Sequence, residues 1–171
     1  MRPVVLVVAL LATLSPTGKS AEVDQLDVTI RTFYQLISGP AGTRDWARFA
    51  ALFADGARLI PMRALQVGGV GPKVMTVEEY VKRAGTNFEK GEFYESEVAR
   101  RVERFANIAH AFSTFEARRA IAGEPFARGI NSIQLVKAGK EWKVITILWD
   151  SEHGPNSLPA KYLVSPADAS H

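Results

Sequence analysis

Apolar residues recur at helical spacing in the first half of the chain and at alternating positions in the second half. The segment from Glu22 to Ser38 carries a stripe three to four residues apart, which predicts an amphipathic helix. Gly39 and Pro40 end it, because neither residue continues a helix well. The stripe consists of Val23, Leu26, Ile30, Phe33 and Ile37.

A second helix is predicted directly after this break, with Thr43 or Asp45 as its N-terminal cap. The pair Asp55-Gly56 is a turn signal and ends the helix. The segment 57–62 that follows is predicted to be a strand. The apolar face of the second helix comprises Trp46, Phe49, Ala50 and Phe53.

Residues 65–73, LQVGGVGPK, form a glycine-rich loop. A phosphate-binding loop would need Gly-Lys followed by Ser or Thr, which this segment lacks. A flexible hairpin or lid is therefore the better interpretation. Thr76 and Glu79 then form a capping box that opens a third helix.

Four long strands joined by short turns are predicted for the remainder of the chain, and no helical stripe occurs among them. Helices first and antiparallel strands later predict an α+β fold with helices packed on one face of a curved sheet. The predicted strands span residues 94–105, 107–120, 128–137 and 142–150.

The last two strands are joined by a four-residue loop, so Lys137 should lie opposite Trp142. Counting outward places Trp142, Thr146 and Asp150 on the face covered by the helices. The other face is also apolar, and a large exposed apolar patch usually marks an interface. We therefore expect a homodimer through this outer face. Its contact residues would be Ile130, Ile145, Ile147 and Trp149.

The N-terminus has the layout of a secretory signal peptide: a basic start, an apolar run over residues 4–14 and a polar stretch of small residues. The run is too short to span a bilayer. We predict cleavage after Ser20, export to the periplasm or medium, and no stable membrane anchor. A single domain over residues 21–153 and a partly disordered tail over 154–171 would follow.

Removing residues 1–20 changes the charge balance, because Arg2 and Lys19 leave with them. The formal charge falls from +3, with 21 Lys and Arg against 18 Asp and Glu, to +1. A near-neutral exported domain is not expected to bind nucleic acid. No cysteine is present and no clustered His and Asp spacing occurs, so neither a metal site nor a cofactor is predicted.

Three helices, the turn LFADGA, a hairpin and long strands ending in EWKVITILWDSE resemble the NTF2-like superfamily, which includes SnoaL-like proteins and ketosteroid isomerases. The resemblance covers residues 22–153, and the segments ARLIP and RGINSIQL resemble an exported bacterial subfamily. It implies a cone-shaped α+β fold with a pocket between the helices and the concave sheet, and commonly a dimer through the convex sheet.

The resemblance does not imply one reaction, because this scaffold supports enzymes, binding modules and transport factors. An isomerase-type site would place its base where Pro61 stands, and proline cannot accept a proton. An epoxide-hydrolase type could use Arg118, Arg128 and Asp150, which are more simply solvated charges at strand ends. A dehydratase type needs a histidine pair, whereas His110 is the only histidine within a predicted strand.

Binding of a small apolar or amphipathic molecule in the cone pocket is therefore the main functional hypothesis. A lyase, isomerase or hydrolase using the same pocket, with catalytic residues undefined, and a dimeric interaction module without a ligand are the alternatives. The candidate pocket residues are Tyr34, Arg63, His110, Asn131, Thr146 and Asp150.

Overall fold

The computed structural model describes residues 24–164. Residues 1–23, which include the predicted signal peptide and Val23, and residues 165–171 lie outside this range. The first helix, α1, spans Gln25–Ile37 and begins where the Asp24 carboxylate accepts a hydrogen bond from the Leu26 amide at 3.0 Å. Its predicted apolar stripe is confirmed from Leu26 onward. The buried members of the stripe are Leu26, Ile30, Phe33 and Ile37.

The second helix, α2, is only five residues long, Trp46–Ala50. Asp45 caps it, since its carboxylate accepts a hydrogen bond from the Arg48 amide at 2.9 Å. The prediction that Phe53 belongs to this helix is wrong, because Phe53 pairs with Val144 and begins strand β1, Phe53–Ala64. Gly56, with φ of 76°, lies at an irregularity inside β1 rather than in a turn before it.

A short hairpin connects β1 to β2, Val70–Pro72. The Leu65 amide donates to the Gly69 carbonyl at 3.0 Å and closes the glycine-rich loop. Helix α3, Val77–Phe88, follows with the predicted capping box: the Glu79 amide donates to Thr76 Oγ1 at 3.1 Å, and the Thr76 amide to the Glu79 carboxylate at 2.8 Å.

The second half of the chain forms four strands, as the alternation predicted. All six strands form one mixed sheet in the order β2-β1-β6-β5-β4-β3, in which β1 runs parallel to β6. The sheet is curled but not closed, with β2 and β3 at its edges. The α+β prediction is thereby confirmed. The strands are β3 Tyr94–Phe105, β4 Ile108–Arg118, β5 Pro125–Ala138 and β6 Glu141–Ser151.

The hairpin of β5 and β6 has the predicted pairing of Lys137 with Trp142, but its register shifts farther along. Leu135 pairs with Val144 and Gln134 with Thr146, so Ile145 is an extra residue. A bulge of one residue exchanges the two faces of every position beyond it. Ile147, 1% exposed, and Trp149 therefore face the helices, and the prediction that they lie on the outer face is wrong.

The outer face of β3 and β4 is partly covered by the chain itself. A 3₁₀ turn, Ala160–Tyr162, lies against it, with the Tyr162 ring 5.0 Å from the Phe112 ring. Thr114 Oγ1 donates to the Tyr162 carbonyl at 2.5 Å, and Arg101 donates to the Lys161 carbonyl at 2.8 Å. No helix within residues 24–164 is long and apolar enough to cross a membrane.

Candidate functional site

A cavity of about 540 Å³ lies between the inner face of the sheet and helices α1 and α3. Side chains alternate between the two faces of a strand, so every second residue of a strand points toward the cavity. Residues two positions apart therefore form one wall of the cavity. Pockets of about 300 to 1,000 Å³ are typical of small-molecule sites. The apolar and aromatic lining comprises Phe33, Ile37, Leu59, Met75, Tyr80, Ala84, Phe88, Phe93, Phe115, Ala117, Phe126, Ala127, Ile147 and Trp149.

One carboxylic acid lines this cavity. Glu95, the second residue of β3, accepts a hydrogen bond on Oε1 from Asn131 Nδ2 at 3.1 Å. Burial raises the pKa of Glu95 to about 7, while the hydrogen bond from Asn131 acts in the opposite direction. A carboxyl group with this pKa is present in both its protonated and its ionised form near neutral pH. It can therefore donate or accept a hydrogen bond toward a bound molecule.

A chain of hydrogen bonds continues from Asn131 into the protein. Asn131 Nδ2 also donates to the Tyr34 hydroxyl at 3.1 Å, and that hydroxyl lies 2.7 Å from Ser113 Oγ. Ser113 donates its own proton to Glu97, so Tyr34 must be the donor to Ser113. Burial, with the nearby Glu95 charge, raises the pKa of Tyr34 and keeps this donor protonated. The chain fixes the orientation of the Asn131 amide.

Tyr80 of α3 brings a second polar group to the cavity wall. Its ring packs between Phe49, at 5.4 Å, and Trp149, at 6.2 Å between centroids. Burial, together with the Glu95 charge, raises its pKa. Within residues 24–164 its hydroxyl makes no hydrogen bond, which leaves it able to contact a ligand.

Two of the six predicted pocket residues line the cavity: Asn131 at its wall and Arg63 at the end of β1. Tyr34 stands behind the wall and reaches the cavity only through Asn131. These three residues are therefore brought to the same side of the sheet. Whether any of them binds a ligand stays a prediction.

The other three predicted residues lie away from the cavity, which corrects their expected position. His110 lies between the buried residues Ala109 and Ala111 on β4, so its side chain points to the opposite, outer face. There its Nε2 lies 2.9 Å from Ser132 Oγ. Thr146 and Asp150 were assigned inward by counting from Trp142, and the bulge at Ile145 turns both outward.

Sequence reasoning missed Glu95 and Tyr80. Glu95 lies in a strand of mixed charges, YESEVARRVER, which suggests ion pairs on a solvated rim. Ion pairs do form on this strand, between Arg100 and Glu97 at 3.2 Å and between Arg104 and Asp24, but Glu95 takes part in none of them. The signal that could have identified Glu95 is its alternation: it shares the inner face with Glu97, opposite the core residue Ala117. Within residues 24–164 no cluster of potential metal ligands occurs.

Solved structures with this arrangement of helices and strands are numerous. An NTF2-like protein of unknown function from Pseudomonas putida KT2440 is 14% identical with a TM-score of 0.59, over 76% of this chain and 86% of that chain. The chain has the NTF2-like fold. A cystatin-like-fold protein of unknown function from Nostoc punctiforme is 12% identical, with a TM-score of 0.58 over 75% of this chain and 89% of its own.

A candidate scytalone dehydratase from Novosphingobium aromaticivorans has the same NTF2-like architecture, at 14% identity and a TM-score of 0.55, over 80% of this chain and 88% of that chain. Comparisons with protein-family models and with the curated proteins give no match. At these identities the likeness concerns the NTF2-like fold, so chemistry has to be argued from the cavity.

The position of Pro61 bears on that chemistry. Pro61 pairs with Trp149 and is buried on β1, between the inward-facing Leu59 and Arg63. Pro61 is not among the residues that line the cavity, and its ring carries no titratable group. The carboxyl group of the cavity comes instead from Glu95 on β3, the edge strand at the other end of the sheet.

Proposed function

We propose that this NTF2-like domain binds a small amphipathic molecule in its cavity, with the apolar body against the aromatic walls and one polar end at Glu95. The observation that carries the proposal is a cavity of about 540 Å³ whose apolar lining surrounds Glu95, Asn131 and Tyr80. Ligand sites in proteins commonly combine apolar walls with a few fixed polar groups.

The rigidity of the polar groups supports this proposal. Asn131 is 3% exposed and is held by two hydrogen bonds, one to Tyr34 and one to Glu95. Fixed polar groups orient a ligand at a lower entropic cost than mobile ones. An interaction module without a ligand would not need an open cavity of this size, which is why we rank that alternative lower.

Fluorescence of N-phenyl-1-naphthylamine, a neutral apolar dye, tests the proposal on the chain without residues 1–20. We expect the dye to bind and to accept energy from Trp149, which lines the cavity. The variant Ala117→Phe fills the cavity from its β4 wall and should weaken binding by about ten-fold or more, because the dye loses several buried carbon contacts.

The matched control is Ala138→Phe, which adds the same ring at an exposed position where β5 ends. It should leave dye binding unchanged. If Ala117→Phe folds with wild-type circular dichroism and still binds the dye as tightly as wild type, the cavity is not the binding site and the proposal fails.

Proton transfer at Glu95 is a second candidate function, favoured by the pKa of about 7 of this carboxyl group within an apolar cavity. General bases work best when their pKa lies near the working pH. The neutral compound 5-nitrobenzisoxazole tests it: a carboxylate removes the ring C–H proton, the N–O bond breaks, and a cyano-nitrophenolate forms.

The elimination rate should rise as the pH passes through about 7, because the ionised Glu95 is the base. Glu95→Gln should lose this pH-dependent rate, whereas the control Glu103→Gln should keep it, since Glu103 is an exposed side chain of the outer face. Equal rates for wild type and Glu95→Gln would exclude this function while leaving ligand binding intact.

Export of the domain stays a prediction.

A further inference from the structure

The mouth of the cavity is rich in positive charge. Six of the residues that line the cavity are exposed, and they therefore define its opening: Arg63, Arg83, Asn87, Lys90, Arg119 and Phe126. Four of the six are cations. The acid among the lining residues, Glu95, is less exposed than these six residues.

These four cations come from separate parts of the chain. Arg63 lies near the end of β1 and Arg83 on α3, while Lys90 follows α3 and Arg119 follows β4. Their convergence on one opening is therefore a product of the tertiary fold and not of one basic stretch. Arg119 is held in place, since its guanidinium lies 4.1 Å from the centre of the Phe126 ring.

Acidic partners are missing at this opening. Among residues 24–164 the ion pairs of arginine and lysine involve Arg100, Arg104, Arg118, Arg128 and Lys143 and none of the mouth cations. Clustered like charges without partners repel one another, and an anion bound among them relieves that repulsion. Most of the other lining residues are apolar or aromatic, so an anion alone would leave these walls without a partner.

We infer that the ligand is an amphipathic anion, with a carboxylate, sulfonate or phosphate group at the mouth among Arg63, Arg83, Lys90 and Arg119, an apolar body along the cavity walls, and its inner polar end at Glu95. This inference rests on the proposed function and adds the charge and the orientation of the ligand. Guanidinium groups suit the head group because their paired N–H donors match two oxygens of one anion.

Two dyes with the same aromatic skeleton separate charge from apolar burial. N-phenyl-1-naphthylamine is neutral, and 1-anilinonaphthalene-8-sulfonate carries one sulfonate on the same rings. We expect the sulfonate to bind the wild-type domain about ten-fold more tightly than the neutral dye, as several partly exposed charges acting together allow. Added salt should weaken binding of the sulfonate and leave the neutral dye nearly unaffected.

The double variant Arg63→Gln/Arg119→Gln removes two of the four mouth cations, one from β1 and one that follows β4. It should bring the affinity for the sulfonate down to that for the neutral dye, with neutral-dye binding retained. The charge-matched control is Lys137→Gln/Lys140→Gln, which removes two exposed cations at the β5–β6 turn, the far end of these strands from Ser151 at the cavity. The control should bind both dyes as wild type does.

Equal wild-type affinities for the two dyes would overturn the inference, and so would an unchanged affinity ratio in the Arg63→Gln/Arg119→Gln variant. In both cases binding of the neutral dye would show that the proposed function survives. Failure of both dyes to bind a folded wild-type domain would overturn the inference and the proposed function together.

Discussion

Glu95 shows how one buried position can set the chemistry of the cavity. Its backbone is fixed by Ser38, whose hydroxyl donates to the Glu95 carbonyl at 3.0 Å and accepts from the Glu95 amide at 2.9 Å. Its carboxyl group contacts Asn131, and its charge adds to burial in raising the pKa of both Tyr34 and Tyr80. Burial makes the charged form of this carboxyl group costly, which is the reason for the raised pKa of Glu95.

Stability should depend on pH through this residue. The pKa of Glu95 is about 7 in the folded protein against an ordinary 4.5, so the folded state holds the proton more tightly than the unfolded chain. The free energy of unfolding should therefore fall as the pH rises from about 4.5 to about 7, by roughly 3 kcal/mol at most. Urea unfolding of wild type and Glu95→Gln at several pH values measures this.

The variant Glu95→Gln should lose most of that decline, and the surface control Glu103→Gln should keep it. Burial also raises the pKa of Glu97, so a smaller decline of the same sign is expected to remain in Glu95→Gln. Parallel pH profiles for wild type and Glu95→Gln would contradict the assignment of a raised pKa to Glu95.

Strands β5 and β6 decide which side chains reach the cavity. Their alternation is visible in the sequence, but the bulge at Ile145 is not, because it inserts one apolar residue into a run that is apolar on both faces, VITILW. Both registers would bury apolar side chains, so the hydrophobic pattern alone does not choose between them. Contacts with β1 and α3, which hold Ile147 and Trp149 inward, choose it.

Gly129 marks a close approach between strand β5 and strand β6. A Cβ atom there would lie 2.1 Å from the Asp150 carbonyl oxygen and 2.9 Å from the Phe115 ring. Gly129→Ala should therefore destabilise the protein by about 2 kcal/mol or more, as overpacking does. Gly91→Ala is the control, since a Cβ atom at Gly91 meets nothing within 4 Å. Equal urea midpoints for the two variants would contradict this close approach.

At the scale of the whole molecule, the outer face of the sheet has two parts. The 3₁₀ turn at Ala160–Tyr162 covers β3 and β4, whereas β5 and β6 leave Ile130 half-buried and Leu148 39% exposed. Of the four residues expected at a dimer interface, Ile147 and Trp149 face inward. A homodimer through the outer face stays a prediction, and its contact would have to centre on Ile130.

Sedimentation of the chain without residues 1–20 tests this dimer. We expect a dimer at micromolar concentration, and Ile130→Lys should convert it to a monomer by placing a charge within the apolar contact. Ile121→Lys makes the same change at a 77% exposed position between β4 and β5, and should leave the dimer intact. A monomeric wild-type domain would exclude the interface.

The sequence by itself determined the order of elements and most of their ends. Local signals suffice for these features: the Asp45 and Thr76 caps, the glycine-rich hairpin and the alternation of four strands are each specified within a few neighbouring residues. The apolar run of β6 was the exception, because its register depends on partners far along the chain. The end of the short helix α2 was a second exception, since Phe53 pairs with Val144 and belongs to strand β1.

The sequence placed Asn131 and Arg63 among the pocket candidates, but the tertiary structure decided which side chains meet in the candidate site. Glu95, Asn131 and Tyr80 come from different elements, and no spacing in the sequence relates them. The four cations at the mouth are likewise separated along the chain and meet only because β1, α3 and β4 end at one opening. Backbone structure follows from neighbouring residues, whereas the position of a side chain in a cavity follows from long-range strand pairing and burial, which local sequence does not encode.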